Sequence, residues 1–269
     1  MIPRKIHYCW LSGGEIPEML QKCMATWKEV LPDYELVLWD QKKFDINSVD
    51  FVKEAVSVKK WAFAADYIRL YAVYTEGGIY MDMDVLVKKT FDSFLGHDFF
   101  SAVELYPPGK NDKNKIYVSE DGSVVQRIAG IALQAAVFGA KAGHPFLKGC
   151  LKWYENRRFI LPDGSFFNQI LSTDIYATIA QTYGFRYKNE EQNLTNNMKI
   201  YSTSTIAPHI WNFDKNSFAV HCCAGSWRGK SLLTKYIKDN NFVRKIFGKK
   251  QTVKTEDMYD FVKNSPIWD

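Results

Sequence analysis

The stretch that decides the fold of this chain is Gly77-Gly78-Ile79-Tyr80-Met81-Asp82-Met83-Asp84-Val85. Two glycines end a helical pattern, an apolar run follows, and two aspartates then stand two residues apart. In an extended segment both carboxylates would point to one side of the backbone. Two carboxylates held in this way can ligate a divalent cation, and a hard cation bridges phosphate oxygens. The spacing therefore indicates an enzyme that handles a phosphorylated donor, with solvated turn aspartates as the alternative.

The residues before this stretch alternate between strand and helix patterns. Residues 5–10 and 35–39 have the character of buried strands, and residues 17–30 carry apolar side chains at helical spacing. A strand, a helix and a second strand at this separation begin a parallel α/β sheet. Residues 60–76 predict a longer helix, which the glycine pair terminates.

The rest of the chain continues the α/β pattern. The other predicted elements are helices at residues 51–58, 145–157 and 166–183 and strands at residues 85–87, 99–103, 133–138 and 218–223. Residues 107–123 are polar and rich in Gly, Asn and Asp, which is typical of a long surface loop. We find no internal repeat or linker, so we predict that residues 1–269 form a single domain. Within it, residues 228–269 form a basic helical extension.

The composition is that of an ordinary globular protein. A hydrophobic content of 46% and a charged content of 24% allow a substantial core. The formal net charge of +5 favours anionic substrates or surfaces and does not require a nucleic-acid partner. The five cysteines are odd in number and form no C-x-x-C pair, so a reducing compartment is expected rather than a disulfide framework.

The sequence predicts neither a signal peptide nor a membrane span, because no run approaches about 20 apolar residues. The expected location is cytoplasmic. Residues 228–250 contain eight Lys or Arg and a single acidic residue, Asp239, interleaved with apolar side chains. Such a segment predicts either a helix on the anionic inner face of a membrane or a solvated helix packed on the domain.

The helix before the aspartates carries a charged pair, Asp66 and Arg69, three residues apart and so on one face. An exposed ion pair of this kind contributes little to stability. The helix is otherwise apolar almost all round, however, and such helices are usually buried. Charges in a buried setting need partners, so we interpret Asp66 and Arg69 as functional residues.

Four motifs together resemble a known family. In chain order they are Ile6-His7-Tyr8-Cys9-Trp10-Leu11-Ser12-Gly13-Gly14, Ala65-Asp66-Tyr67-Ile68-Arg69-Leu70-Tyr71, Tyr74-Thr75-Glu76-Gly77-Gly78-Ile79-Tyr80-Met81-Asp82-Met83-Asp84 and His221-Cys222-Cys223-Ala224-Gly225-Ser226-Trp227. Their order and extent resemble glycosyltransferase family 32. This group includes bacterial capsular and lipopolysaccharide sugar transferases and fungal initiating mannosyltransferases.

The resemblance implies a fold and a chemistry. The expected fold is GT-A-like (Rossmann-related), α/β, with a mostly parallel sheet flanked by helices and with C-terminal helices. The expected donor is a nucleotide-diphosphate sugar, a UDP-hexose or GDP-mannose, used with Mn²⁺ or Mg²⁺ and with retention of anomeric configuration. The expected acceptor is an oligosaccharide or a lipid-linked glycan of a surface polysaccharide.

The resemblance also implies roles for residues before and within the Asp-x-Asp stretch. Trp10 would stack on the nucleobase, and Asp66 and Arg69 would contact the ribose and the donor sugar. Asp82 would bind the ribose and the metal, and Asp84 would be the principal metal ligand. In this way the metal, with help from Arg69, would stabilise negative charge on the leaving diphosphate.

The late motif completes the implied site. His221 and Ser226 would lie by the metal, and Trp227 would donate its indole N–H to the diphosphate. Relatives often carry a second histidine where this chain has Cys222, so His221 is the expected metal ligand and a core histidine is the alternative. A helix N-cap at Ser226 and simple packing of the tryptophans are the corresponding structural explanations.

Two further residues are candidates on the sugar side of the reaction. Retention requires either a carboxylate on the opposite sugar face or attack from the leaving-group side. Glu104, at the end of the predicted strand over residues 99–103, is the candidate carboxylate, with a structural role as the alternative. Asn168 is a candidate contact to the donor sugar.

Two other functions fit part of the sequence. A non-catalytic module would bind a nucleotide-sugar or a glycan without turnover. A haloacid-dehalogenase-type phosphatase also uses Asp-x-Asp, with the first aspartate as its nucleophile. That motif belongs on the first strand of its core, whereas strands and helices precede Asp82 here, and no Gly-Asp-x-x-x-Asp follows.

Overall fold

The computed structural model describes residues 1–106, 115–118, 124–167, 170–210, 212–222 and 255–268. The chain divides into two compact units, each assembled from three segments. The first unit comprises Met1–Gly13, Asp33–Met81 and Asp92–Thr203, and the second comprises Gly14–Pro32, Asp82–Phe91 and Ser204–Asp269. The single domain over residues 1–269 stays a prediction.

The elements follow one another in α/β alternation over the first half of the chain. The strands are β1 (Lys5–Cys9), β2 (Glu35–Trp39), β3 (Gly78–Met81), β4 (Val85–Val87), β5 (Phe99–Leu105), β6 (Lys115–Val118), β7 (Val124–Arg127), β8 (Ile131–Leu133), β9 (Val137–Ala140), β10 (Gln192–Leu194), β11 (Met198–Tyr201) and β12 (Ala219–His221). The helices are α1 (Glu18–Val30), α2 (Asp50–Ser57), α3 (Trp61–Glu76), α4 (Pro145–Tyr154), α5 (Ser172–Ala180) and α6 (Thr255–Lys263).

The first unit is organised around an eight-stranded sheet in the order β10-β11-β5-β9-β3-β1-β2, with β8 paired to β5. Strand β1 pairs in parallel with β2 and β3, and β5 pairs in parallel with β11. Strand β9 runs antiparallel to both β3 and β5, so β3 and β5 share one direction. Strands β1, β2, β3, β5 and β11 therefore run the same way. This mostly parallel sheet, on which helices pack, confirms the predicted α/β architecture.

Helix α3 covers the sheet because its sequence is apolar nearly all round. It packs on β1, β3 and β9, and it contacts α2 and α4. Its buried residues include Ala64, Ile68 and Val73, which join the main core of the first unit. The helix ends where Gly77 adopts φ +66°, a conformation that glycine allows at no steric cost. The predicted helix over residues 60–76 and its glycine stop are both confirmed.

The second unit contains a two-stranded sheet of β4 and β12. Helix α1 packs on β4, and α6 packs on α1. The apolar cluster of this unit includes Met19, Cys23, Leu86 and Val220. In the part of the chain that the structure describes, no helix combines the length and apolar character that a bilayer crossing requires.

Several sequence predictions need correction. Residues 115–118 form β6, which pairs with β7, and so the predicted loop over residues 107–123 is wrong there. The predicted strand over residues 133–138 is two short strands, β8 and β9, with residues 134–136 between them. Both strands pair with β5, but a single apolar run does not show such a break.

The predicted helix over residues 166–183 begins later, at Ser172, and ends in a 3₁₀ turn over Gln181–Tyr183. Phe166 instead forms an isolated antiparallel bridge with Ile160. Strands β10 and β11 are additional to the predicted elements. Met198 and Ile200 of β11 are buried and alternate with more exposed neighbours, but four residues make a weak period-2 signal.

Candidate functional site

The two aspartates lie in the tight turn that joins β3 to β4. The backbone N–H of Val85 closes this turn on the carbonyl of Asp82, at 3.1 Å. Both aspartates are half-buried, and Met83 between them is buried. The expectation of an extended segment is therefore wrong at this point. The turn, rather than strand alternation, sets the positions of the two carboxylates.

Strand β4 is held on both of its edges. On one side it pairs antiparallel with β12, with His221 opposite Val85. On the other side, two buried side chains of α1 supply hydrogen bonds: the Trp27 indole donates to Val85 O at 2.7 Å, and Thr26 Oγ1 accepts from Val87 N at 2.9 Å. Helix α1 thus replaces a neighbouring strand and anchors the residue that follows Asp84.

His221 meets Asp84 because β12 lies beside β4. His221 Nε2 is 3.2 Å from Asp84 Oδ1, and both side chains are largely buried. The backbone N–H of Cys222 extends the ladder by donating to Asp84 O at 2.9 Å. Main-chain and side-chain contacts therefore both link the late motif to the Asp-x-Asp motif.

Asp82, Asp84 and His221 form a group suited to a divalent cation. One ligand atom from each lies within 4.8 Å of the other two. Carboxylate oxygens suit Mg²⁺ and Mn²⁺, and an imidazole nitrogen favours a transition metal. The donor set thus fits the expected cation, and the three residues predicted as metal ligands lie together.

Cys222 faces away from this group. It is fully buried in the apolar cluster with Met19 and Cys23, and its thiol approaches Val220 O at 3.9 Å. Successive side chains of an extended segment point to opposite faces, so His221 and Cys222 cannot serve the same site. This geometry supports the choice of His221 as the histidine ligand.

Asp66 and Arg69 form a buried ion pair in the first unit. Arg69 Nη2 lies 3.1 Å from Asp66 Oδ1, with side-chain exposures of 8% for Arg69 and 16% for Asp66. Arg69 also donates to Ala135 O at 2.8 Å and to Ala65 O at 3.2 Å, and its guanidinium lies 4.8 Å from the centre of the Tyr80 ring. The arginine is held by several partners, as a buried charge requires.

Two other predicted site residues, Trp10 and Glu104, belong to the first unit. Trp10 follows β1, is half-buried and donates its backbone N–H to Trp39 O at 3.0 Å. Glu104 is a half-buried residue of β5 opposite Ala132. Asn168, Ser226 and Trp227 lie outside the described residues, and their roles stay predictions.

The structure also places a residue that the sequence did not single out. His209 pairs with His221 in an isolated parallel bridge, and the centres of the two rings are 5.5 Å apart. The two histidines are separated in the chain by residues 210–220. No local pattern in the sequence signals that they lie side by side.

Part of this chain is similar to known glycosyltransferases. Residues 17–101 match the family model described as "Glycosyltransferase sugar-binding region containing DXD motif". This part of the chain is similar to the sugar-binding region of glycosyltransferases that carry a DXD motif. Residues 17–101 include α3, with Asp66 and Arg69, and the Asp-x-Asp turn. The matched region therefore carries two of the four motifs on which the resemblance to glycosyltransferase family 32 rests.

Two curated relatives show how far the similarity extends. "Inositol phosphoceramide mannosyltransferase 3" of Schizosaccharomyces pombe is 29% identical over 150 residues, which cover 54% of this chain and 35% of the relative. "Uncharacterized glycosyltransferase L373" of Acanthamoeba polyphaga mimivirus is 32% identical over 106 residues, which cover 37% of this chain and 42% of the relative. The match thus spans less than half the length of either relative.

Among solved structures, the chain is similar to a glycosyltransferase involved in the glycosylation of the major capsid of PBCV-1. The identity is 12%, the TM-score is 0.44, and the match covers 81% of this chain and 93% of the other. A second similar structure is the galactosyltransferase LgtC, at 13% identity and a TM-score of 0.40, with 76% of this chain and 75% of that chain covered.

Proposed function

We propose that this protein is a metal-dependent glycosyltransferase that moves a hexose from a nucleotide-diphosphate sugar to a hydroxyl group of a glycan acceptor. The observation that carries the proposal is the convergence of Asp82, Asp84 and His221 within 4.8 Å. The match to the glycosyltransferase sugar-binding region supports the use of a nucleotide-sugar. The same site favours Mn²⁺ over Mg²⁺, because one of its three ligands is an imidazole.

The proposed chemistry assigns the metal group to the leaving diphosphate. A divalent cation, when bound, stabilises the negative charge that develops as the sugar–phosphate bond breaks. Asp84 and His221 hold each other in position through their 3.2 Å contact. The turn closed by Val85 keeps Asp82 close to Asp84. The chain therefore holds its ligands in place before any cation binds.

Asp66 and Arg69 receive separate parts in this proposal. Arg69 is engaged with two backbone carbonyls and with Asp66, so it orients the Asp66 carboxylate. A fixed carboxylate is a strong acceptor for sugar hydroxyl groups. We assign Asp66 to the ribose or the donor sugar and Arg69 to positioning Asp66. Trp10, Ser226 and Trp227 keep the donor-binding roles that the resemblance implies.

Retention of anomeric configuration, with Glu104 as the candidate carboxylate and Asn168 as a donor contact, belongs to the proposal as well. So does a role in surface polysaccharide synthesis, with an oligosaccharide or lipid-linked acceptor. One relative is named a mannosyltransferase, so GDP-mannose is a donor to test beside the UDP-hexoses.

Contact with an anionic membrane is proposed for the basic segment over residues 228–250, which lies outside the described residues. Co-sedimentation with vesicles that contain or lack anionic lipid tests it. Equal recovery of the protein in both supernatants would contradict membrane contact.

The central test is a donor-hydrolysis screen of UDP-glucose, UDP-galactose, UDP-N-acetylglucosamine and GDP-mannose with Mn²⁺, Mg²⁺ or a chelator. We expect turnover of one donor, abolished by the chelator and by Asp84→Asn. Asp33→Asn, at an exposed residue of the first unit, is the matched control and should retain activity. Undiminished turnover in chelator would contradict the metal role. Donor binding without hydrolysis or transfer would favour the non-catalytic module instead.

A further inference from the structure

Residues 205–209 run alongside β12, on the edge of β12 that does not pair with β4. Three backbone N–H groups of residues 218–221 donate to carbonyls of this segment. They are Phe218 N to Thr205 O at 2.9 Å, Ala219 N to Ile206 O at 2.8 Å and His221 N to Pro208 O at 2.9 Å. The pairing ends in the parallel bridge between His209 and His221. His209 is thus placed by a ladder and not by a loose loop.

This ladder sets the two imidazoles side by side. Residues that pair across neighbouring strands project their side chains to the same face. The ring planes are tilted by 32° and their centres are 5.5 Å apart. Both residues are half-buried, and Asn212 N donates to His209 O at 2.8 Å. His209 therefore lies on the face of the ladder that carries the metal group.

His209 lies next to the metal group but outside its set of ligands. Within the part of the chain that the structure describes, the group of mutually close ligand atoms comprises Asp82, Asp84 and His221. The His209 ring lies beside that of His221, so a molecule bound to the cation would come within its reach. A nucleoside diphosphate bound there would present phosphate oxygens, which are strong hydrogen-bond acceptors.

We propose that His209 is a substrate-binding residue that donates an imidazole N–H hydrogen bond to a phosphate oxygen of the metal-bound nucleoside diphosphate. This inference rests on the proposed function and adds a residue to it. A neutral imidazole carries one N–H donor in either tautomer, so the hydrogen bond needs no change of charge. His209 would hold the diphosphate of the donor and, after transfer, that of the product.

Three substitutions separate this hydrogen bond from simple ring packing. His209→Phe keeps an aromatic ring beside His221 and removes the donor. His209→Asn and His209→Gln keep an N–H donor near the positions of Nδ1 and Nε2, respectively. His97→Phe is the matched control, because His97 is a half-buried histidine of the first unit that contacts Tyr201. Circular dichroism and thermal unfolding check that each variant folds.

The experiment measures binding of UDP and GDP to Mn²⁺-loaded protein by titration calorimetry, with UMP and GMP for comparison. Mn²⁺ binding alone is measured by electron paramagnetic resonance. We expect His209→Phe to weaken binding of the preferred diphosphate about tenfold, the scale of one hydrogen bond to a charged group. Mn²⁺ affinity should stay within about twofold, the monophosphates should be less affected, and Asn or Gln should restore part of the binding.

The possible failures are distinct. If the wild-type protein binds Mn²⁺ but neither UDP nor GDP, the proposed function is overturned, and this inference with it. Wild-type binding together with unchanged binding by His209→Phe would overturn the inference alone. Equal losses of binding in the Phe, Asn and Gln variants would also overturn it, because an N–H donor at this position would then fail to restore binding.

Discussion

His7 Nε2 lies 2.7 Å from the carbonyl oxygen of Gly77, at the junction between α3 and β3. Trp39 donates its indole N–H to His7 Nδ1 at 3.0 Å, so Nδ1 is an acceptor and the proton of the neutral ring sits on Nε2. The ring is fully buried. One imidazole thus connects β1 and β2 to the glycine pair that precedes β3.

The burial of His7 predicts a pH-dependent stability. Burial lowers the pKa of His7 below its ordinary value of 6.5, because the charged ring would lose its hydration. The unfolded chain therefore binds a proton first as the pH falls. The stabilisation is complete above about pH 6.5 and is lost below it, at up to about 1.4 kcal/mol per pH unit.

Urea unfolding of the wild type and of His7→Gln between about pH 8 and pH 5 measures this effect. The difference between the two proteins should shrink as the pH falls. The comparison with His7→Gln is needed because burial also lowers the pKa values of His97 and His144, which contribute to both curves. Parallel curves for the two proteins would contradict the prediction.

Gly78 should not tolerate a side chain. Its φ is +111°, and a Cβ there would lie 2.9 Å from both Cβ and the carbonyl oxygen of Lys5. We expect Gly78→Ala to lower the free energy of unfolding by about 2–4 kcal/mol, from backbone strain and overpacking together. Gly96→Ala is the control, because an added Cβ meets no atom within 4 Å there. Similar losses in both variants, measured by urea unfolding, would be inconsistent with this explanation.

The Asp66–Arg69 pair should behave as a buried ion pair. Arg69→Met leaves the Asp66 carboxylate uncompensated and should cost about 3–5 kcal/mol of stability. The double variant Asp66→Leu/Arg69→Met should recover much of this loss, because neither charge is then buried. The exposed Glu18–Lys22 pair gives the control, since Lys22→Met should change stability by less than about 1 kcal/mol. Equal effects of the two methionine substitutions, measured by urea unfolding, would refute the buried-pair interpretation.

Trp27 should support the metal group from a distance. Trp27→Phe removes the buried hydrogen bond to Val85 O and should cost about 1–3 kcal/mol of stability. It should also lower Mn²⁺ affinity, because Val85 directly follows Asp84. Trp268 is half-buried after α6, and Trp268→Phe removes a similar bond, to Val262 O of α6. This variant should leave Mn²⁺ affinity unchanged. Calorimetric titration with Mn²⁺ checks both; unchanged affinity in Trp27→Phe would show that this bond is not needed by the site.

The sequence by itself determined the elements whose signals are local. Strands β1 and β2, helix α1 and helix α3 follow from their apolar patterns. An element buried on one face carries apolar residues at its own period, and an element buried all round is apolar throughout. The stop at Gly77 follows from the conformational freedom of glycine. The Asp-x-Asp motif and the late histidine are likewise visible as residue types at a spacing, and they indicated the family.

Only the tertiary structure decided what depends on pairing between distant segments. The contact of His221 with Asp84 and the pairing that brings His209 beside His221 both depend on which backbone groups meet across the fold. A strand of three or four residues has too few positions to show its period-2 pattern. Strands β8, β10 and β11 are therefore defined by their pairing with other strands rather than by their own sequences. Hydrogen bonds between remote segments leave no local pattern, and the site is made largely of such bonds.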